Sequence, residues 1–140
     1  MHLLEEHKWP RRFLKLAQEV ATWSKDPNTK VGAVIVDERN RIVGLGYNGF
    51  PRGVADSPAL YSDRESKLSL VVHAEANAIL NSNRVVSGCH LYTSLPPCNE
   101  CAKLIIQAGI SRVSYEASER VSEISTEMFR QAGVEICGYC

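Results

Sequence analysis

Cys89 to Tyr115 reads CHLYTSLPPCNECAKLIIQAGISRVSY, and the order of elements within it decides the fold. Cys89 to Ser94 reads as a short strand, and Pro96-Pro97 ends it. A helix follows from Cys98 to about Ala108 and stops at Gly109. Arg112 to Tyr115 reads as the next strand. A helix between two strands is a crossover connection, so these strands should pair in parallel. The pattern then repeats: Ser122 to Ala132 is a helix stopped by Gly133, and Val134 to Cys137 is a last strand.

Upstream, a helix starts near His73 and runs through Ala74, Ala76, Ala78, Ile79 and Leu80. Asn48 to about Leu70 has loop-like composition, with Gly49, Pro51, Gly53, Asp56, Ser57 and Pro58, and so long a loop is usually functional or covered by a partner. Lys30 to Val36 is a buried strand. Asp37-Glu38-Arg39-Asn40 turns the chain into a second strand, Arg41 to Tyr47, its antiparallel hairpin partner. Ser24 to Thr29 carries turn chemistry, and Pro10 opens a helix running to about Trp23. Phe13, Leu14, Ala17, Val20 and Ala21 fall on one face of that helix. The order α-β-β-α-β-α-β-α-β predicts an α/β fold: a five-stranded mixed sheet between helical layers.

The chain has 140 residues, the length of one domain spanning 1–140. Its hydrophobic fraction of 44% supplies a core, and its charged fraction of 23% is that of a globular chain. Lys+Arg 16 balances Asp+Glu 16, so no basic excess points to a nucleic-acid partner. No apolar run is long enough to span a bilayer, and the acidic start Met1 to His7 lacks a signal-peptide core. These features predict an intracellular, cytoplasmic protein. Five cysteines cannot all pair within one chain, and in a reducing compartment the question is which of them bind metal or do chemistry. Cys89 is expected to pack as a small buried residue. The terminal Cys137-Gly138-Tyr139-Cys140 has no histidine nearby and reads as incidental.

The residues with chemistry in them are His73-Ala74-Glu75 and Pro97-Cys98-Asn99-Glu100-Cys101. Two thiolates three positions apart at a helix start can hold one ion from the same side. The free N–H groups of that helix end favour the thiolates. His73 opens another helix, and the intervening strand can return the chain to the same end of the sheet. Three protein ligands leave a position for water, as catalytic zinc sites do, whereas structural sites normally have four. Glu75, two residues beyond His73, could move a proton between water and substrate. Taken singly, His-x-Glu is usually a surface pair on a helix. Cys-x-x-Cys alone could be a redox pair or half of a structural zinc site.

Joined, the motifs form the signature of zinc deaminases, and the chain resembles the deoxycytidylate (dCMP) deaminases of the cytidine deaminase superfamily. The resemblance runs from about Trp23 to Gly109. It is carried by Ser24-Lys25-Asp26-Pro27-Asn28-Thr29-Lys30-Val31-Gly32 and Gly46-Tyr47-Asn48-Gly49-Phe50-Pro51-Arg52-Gly53, together with the segments starting at His73 and Pro97. It implies a cytidine-deaminase-like three-layer α-β-α sandwich, and hydrolytic deamination of dCMP to dUMP and ammonia. It implies one zinc per chain on His73, Cys98 and Cys101, with Glu75 as proton shuttle. It places Asn48 on the sugar hydroxyl and the backbone N–H of Ala74 on the base carbonyl. Asn48 could equally sit left-handed in an Asn-Gly turn. Lys25, Asn28, Arg84 and Arg120 are the phosphate candidates, with the Ser24 to Asn28 segment ranked first.

The resemblance further implies activation by dCTP and inhibition by dTTP, with Mg2+ accompanying the triphosphate, and a homohexamer. The effector site would involve Gly46, Tyr47, Asn48, Gly49, Phe50, Arg52, Gly53 and Arg84. Glycines there would let backbone N–H groups approach phosphate. Asp56 to Val72 holds no Cys or His, so no second, structural zinc is expected there. The competing readings are a deaminase of cytidine, guanine or tRNA adenosine, a zinc-stabilised binding module, and a catalytically idle regulatory subunit.

Overall fold

The computed structural model describes residues 7–139. Helix α1, Lys8–Ala21, takes Pro10 in its first turn, where a missing N–H costs no hydrogen bond. It buries Pro10, Phe13, Leu14, Ala17, Val20 and Ala21, the face that the spacing predicts. Strands β1, Gly32–Val36, and β2, Ile42–Tyr47, form the expected antiparallel hairpin. A Cβ on Gly32 would lie 2.0 Å from the Ala17 carbonyl oxygen, so glycine is what lets α1 lie directly on β1.

The remaining strands are β3, His90–Thr93, β4, Arg112–Glu116, and β5, Glu135–Tyr139. The sheet order is β2-β1-β3-β4-β5. Strand β1 is antiparallel to both neighbours, and β3, β4 and β5 run parallel. All five residues of β1 are buried, as a strand covered on both faces must be. Alternate side chains show the layers. Val34, Val36 and Tyr92 pack with Phe13, Leu14 and Ala17 of α1. Ala33, Ile35, Leu91 and Val113 pack on the opposite face with Ala74, Ala78, Ala102, Ile105 and Phe129. Those last residues belong to α4, Ala74–Leu80, α5, Asn99–Gln107, and α6, Glu123–Ala132. Cys89 is buried there as expected.

The sequence reading differs most at Asn48 to Leu70. Two short helices stand where a loop was expected: α2, Pro58–Ser62, and α3, Arg64–Leu70. Ser57 caps α2 by accepting from the Leu60 N–H, with Pro58 in the first turn, and Asp63 caps α3 by accepting from the Ser66 N–H. Neither helix has an apolar stripe: α2 buries only Tyr61, and α3 buries no residue. Tyr61 stacks on Phe50 with ring centres 3.9 Å apart, which fixes the pair of helices to the segment after β2. Strand β5 runs to Tyr139 rather than ending at Cys137. Cys140 and the start of the chain before His7 lie outside the described residues. Among the described residues no helix is long and apolar enough to cross a membrane.

Candidate active site

Two helix starts meet at the carboxyl end of β3, beside the start of the antiparallel β1, where open α/β sheets form their crevices. His73 is the extended N-cap of α4, and Cys98 is the extended N-cap of α5. The Cys98 sulfur accepts from the Cys101 N–H at 3.5 Å, so one residue both caps the helix and presents its Sγ. His73 Nδ1 lies 3.3 Å from Cys101 Sγ and 3.4 Å from Cys98 Sγ. All three donor atoms lie within 4.8 Å of one another. Tetrahedral zinc, with Zn–N about 2.0 Å and Zn–S about 2.3 Å, needs nitrogen and sulfur roughly 3.5 Å apart. The donor set and its spacing therefore fit zinc.

The three donors are electrostatically coupled to one another. Hydrogen bonds from the Cys101 thiol and from His73 push Cys98 down to about 3, against the effect of burial. Cys101 is pushed far up, because its proton is shared with Cys98 and because it is buried. Its partnership with Cys98 raises His73 above the usual imidazole value, with burial opposing. Glu75 is 4% exposed, and burial pushes its carboxyl up to about 7. A buried carboxyl that titrates near neutrality can both take and give a proton there.

These residues close one end of a cleft of about 340 Å³, within the range of small-molecule sites. Val31, Asn48 and Leu95 form walls, and Arg64, Lys67 and Arg120 bring positive charge. Beneath the cleft Asp26 is fully buried. Its Oδ1 accepts from the N–H groups of Asn28 at 2.9 Å and Thr29 at 3.2 Å. Its Oδ2 meets Lys67 Nζ at 2.6 Å. Burial pulls the Asp26 carboxyl upward, but Lys67 and the two N–H donors outweigh it and hold the group below the usual carboxylate range.

The sequence candidates divide in space. His73, Ala74, Glu75, Cys98, Asn48 and Arg120 line the cleft, and Cys101 joins it through its sulfur. Asn48 is not left-handed; among the described residues the non-glycine residue with positive φ is Asn40, at 60°. The Asn48 side chain instead accepts from the Val31 N–H and donates to the Thr29 carbonyl, each at 2.8 Å, which ties the end of β2 to the segment before β1. Lys25 is turned outward, in an exposed ion pair with Asp56 at 2.9 Å. Asn28 lines an adjoining groove, which Arg120 also borders. Arg84 lies beyond the far end of α4, bonded to the Val85 carbonyl, and does not line the cleft.

The glycine-rich segment is anchored to the body of the fold at three points. A Cβ on Gly46 would lie 2.2 Å from the Ala78 nitrogen and 2.4 Å from the Ala74 oxygen, so this glycine is a seat for α4. Gly49 is bridged to Val72, and Phe50 is covered by Tyr61. Tyr47, Arg52 and Gly53 remain exposed, with Arg52 donating to Asn81 at 3.2 Å. Sequence reasoning missed Arg64, Lys67 and Asp26 as parts of the site. The cap at Asp63 was the available signal that a helix carries the first two.

A family model described as the cytidine and deoxycytidylate deaminase zinc-binding region matches residues 7–117. An uncharacterized deaminase from the luxG 3' region of Aliivibrio fischeri is 46% identical over 137 residues, covering 92% of each chain. Human deoxycytidylate deaminase is 45% identical over 138 residues, covering 91% of this chain and 77% of its own. Among solved structures, the dCMP deaminase of cyanophage S-TIM5 in apo form superposes with a TM-score of 0.77 at 27% identity, covering 94% of this chain and 98% of its own. Its complex with dCMP and dUMP gives 0.75 at 27% identity, covering 92% and 95%.

Proposed function

The chain belongs to the cytidine and deoxycytidylate deaminase family and is a deaminase, and on that premise we propose that its substrate is dCMP, hydrolysed to dUMP and ammonia. The observation that carries this reading is a buried carboxyl, Glu75, in a cleft closed by the His73, Cys98 and Cys101 donors. Zinc held by those three residues would supply a Lewis acid that makes a water reactive near neutral pH. Glu75 takes a proton from water and delivers it to the ring nitrogen beside the amine-bearing carbon. Water's oxygen bonds to that carbon; Glu75 then takes the oxygen's remaining proton and passes it to the amine, so the C–N bond breaks, ammonia leaves and the oxygen stays on the base as a carbonyl. The Ala74 N–H, in the first turn of α4 and on the cleft wall, would donate to the base carbonyl. Asn48 and Arg120 are the sugar and phosphate candidates that line the cleft.

The same reading brings control by dCTP and dTTP with Mg2+, a homohexamer, a single catalytic domain and a cytoplasmic setting. Its support in this chain is the attachment of the glycine-rich segment to the helix of His73 and Glu75. Asn77 donates to the Tyr47 carbonyl at 2.8 Å, and Arg52 reaches Asn81. Leu80 and Val85 are 76% and 77% exposed, an apolar surface that an assembly would cover.

The test is ammonia release from dCMP, CMP, deoxycytidine, guanine and tRNA adenosine by zinc-loaded protein, with and without dCTP or dTTP and Mg2+. Turnover of dCMP well above the others supports the assignment. Turnover of another substrate, or of none with zinc bound, overturns it. Kinetics unchanged by either triphosphate would remove the regulatory part alone.

A further inference from the structure

We propose that Asn99 is a positioning residue of the metal centre: its side-chain oxygen takes hydrogen bonds from two hydroxyls of the neighbouring helix and so fixes the backbone at Cys98. The inference rests on the zinc reading above. Asn99 is the first residue of α5 and lies between the donors Cys98 and Cys101. Its Oδ1 accepts from the Ser122 hydroxyl at 2.6 Å and from the Ser125 hydroxyl at 2.7 Å. Both serines stand at the start of α6, which supplies none of the three donors.

The bonding around this oxygen is complete. An amide oxygen has two lone pairs, and two hydroxyls fill them. Ser122 Oγ already accepts from the Ser125 N–H at 3.2 Å as the cap of α6, so its proton is free to be donated. A hydroxyl within a helix can return to the carbonyl four residues earlier, as Thr126 does to Ser122 at 2.9 Å. Ser125, buried at 3% exposure, sends its proton across to α5 instead. Nor does Asn99 cap its own helix, since Cys98 Sγ does so. The asparagine serves the junction between the two helix starts, and without it the buried Ser125 hydroxyl would lose its acceptor.

Cys98 stands between two restraints. Pro97 precedes it, with φ held by the ring, and borders the same crevice as Ser122 and Ser125. Asn99 follows it and is held by both hydroxyls. The extended Cys98 backbone, φ −75° and ψ 173°, is set between these points, and the direction of its side chain follows from that backbone. Metal–ligand distances tolerate errors on the order of 0.2 Å, so the hold on Asn99 bears directly on how well Sγ meets the ion.

Metal binding separates this inference from the substrate assignment. Zinc affinity, by competition with a chromogenic chelator, and the thiolate absorption of the cobalt(II) form would be compared in six proteins. These are wild type, Asn99→Ala, Asn99→Asp, Ser125→Ala, the Asn99→Ala, Ser125→Ala double variant and, as a control on the same helix, Thr126→Val. Turnover of dCMP would be measured on the same samples. Asn99→Ala should lose about tenfold in zinc affinity and shift the cobalt band. Asn99→Asp keeps an oxygen for both hydroxyls and should restore both readings. Ser125→Ala should weaken zinc binding alone but add nothing to Asn99→Ala, as expected for partners in one network. Thr126→Val should bind both metals as wild type does. Unchanged zinc affinity and cobalt absorption in Asn99→Ala, or additive losses in the double variant, overturn the role, whatever the melting temperature and whether or not dCMP is turned over. Asn99-dependent metal binding without dCMP turnover would uphold the role and overturn the substrate assignment.

Discussion

The Lys67 ammonium lies 2.6 Å from the carboxylate of Asp26, a residue with no solvent exposure, and the pair spans from α3 to the loop following α1. Breaking a buried pair from one side leaves a desolvated charge behind. Lys67→Met should therefore cost about 3 kcal/mol, read from urea melts, with Asp26→Asn less damaging because the ammonium it leaves is the more exposed partner, at 16%, and can still donate to the amide oxygen. A wild-type midpoint for Lys67→Met would mean that the backbone donors of Asn28 and Thr29 suffice.

The same pair gives a pH dependence with a definite sign. Asp26 is held below its ordinary value in the folded chain. The unfolded chain therefore binds the proton more readily, and folding is favoured while the group is ionised. This contribution is whole above the unfolded value, about 3.9. It is lost as pH falls from there through the lower folded value. Melts between neutral pH and pH of about 3 should show a shallower acid loss for Asp26→Asn than for wild type. Parallel curves would remove Asp26 from the acid response.

Gly46 tests whether the seat of α4 matters to the metal donors. Alanine there would set its Cβ within 2.4 Å of backbone atoms at Ala78 and Ala74. Backbone cannot yield as a flexible side chain does, so α4 must move away from β2, at a cost of about 1–3 kcal/mol. His73 and Glu75 move with it. Gly46→Ala should lower both the melting temperature and zinc affinity in a competition with a chromogenic chelator. Gly53→Ala, with nothing within 4 Å of its Cβ but φ at +82°, should leave zinc affinity intact. Unchanged zinc affinity in Gly46→Ala would separate the seat from the site.

What could be read in advance follows the range of the interactions. His73, Cys98 and Cys101 announce themselves because soft donors at helix starts are chemically unusual. The α1 face announces itself through a 3.6-residue period. Helices α2 and α3 bury almost nothing, so only the caps at Ser57 and Asp63 marked them. Lys67 looks like any solvated lysine until its partner, far away in sequence, is known. Lys25 shows the reverse error: it sits in a motif-like segment, yet its side chain points to Asp56 at the surface. A glycine such as Gly46 signals close approach without saying by what, and here the approaching group is a helix backbone.

Glu75 should be separable from the metal donors by a single atom. Glutamine keeps the size and the buried position of the side chain but cannot carry a proton from water to the base. Glu75→Gln should retain a full equivalent of zinc and lose at least 10²-fold in turnover. Zinc by plasma emission and ammonia release on the same sample check it. An active variant would take the proton shuttle away from Glu75.

Zinc should hold α4 to α5 as well as serve chemistry, because its donors come from both helix starts. A ligand that binds only the folded chain stabilises it by RT ln(1 + [L]/Kd), about 4 kcal/mol at a thousandfold excess over Kd. Stripping the protein with a strong chelator should therefore lower its melting temperature, and restoring zinc should recover it. Cys98→Ser and Cys101→Ser should each abolish most of that zinc-dependent increment. In the metal-free state Cys101→Ser should cost more than Cys98→Ser, since Cys101 is nearly fully buried in the core cluster and Cys98 only packs against it. A melting temperature indifferent to chelation, with zinc shown to be removed, would mean that packing between Ala74, Ala78 and Ala102 alone joins the two helices.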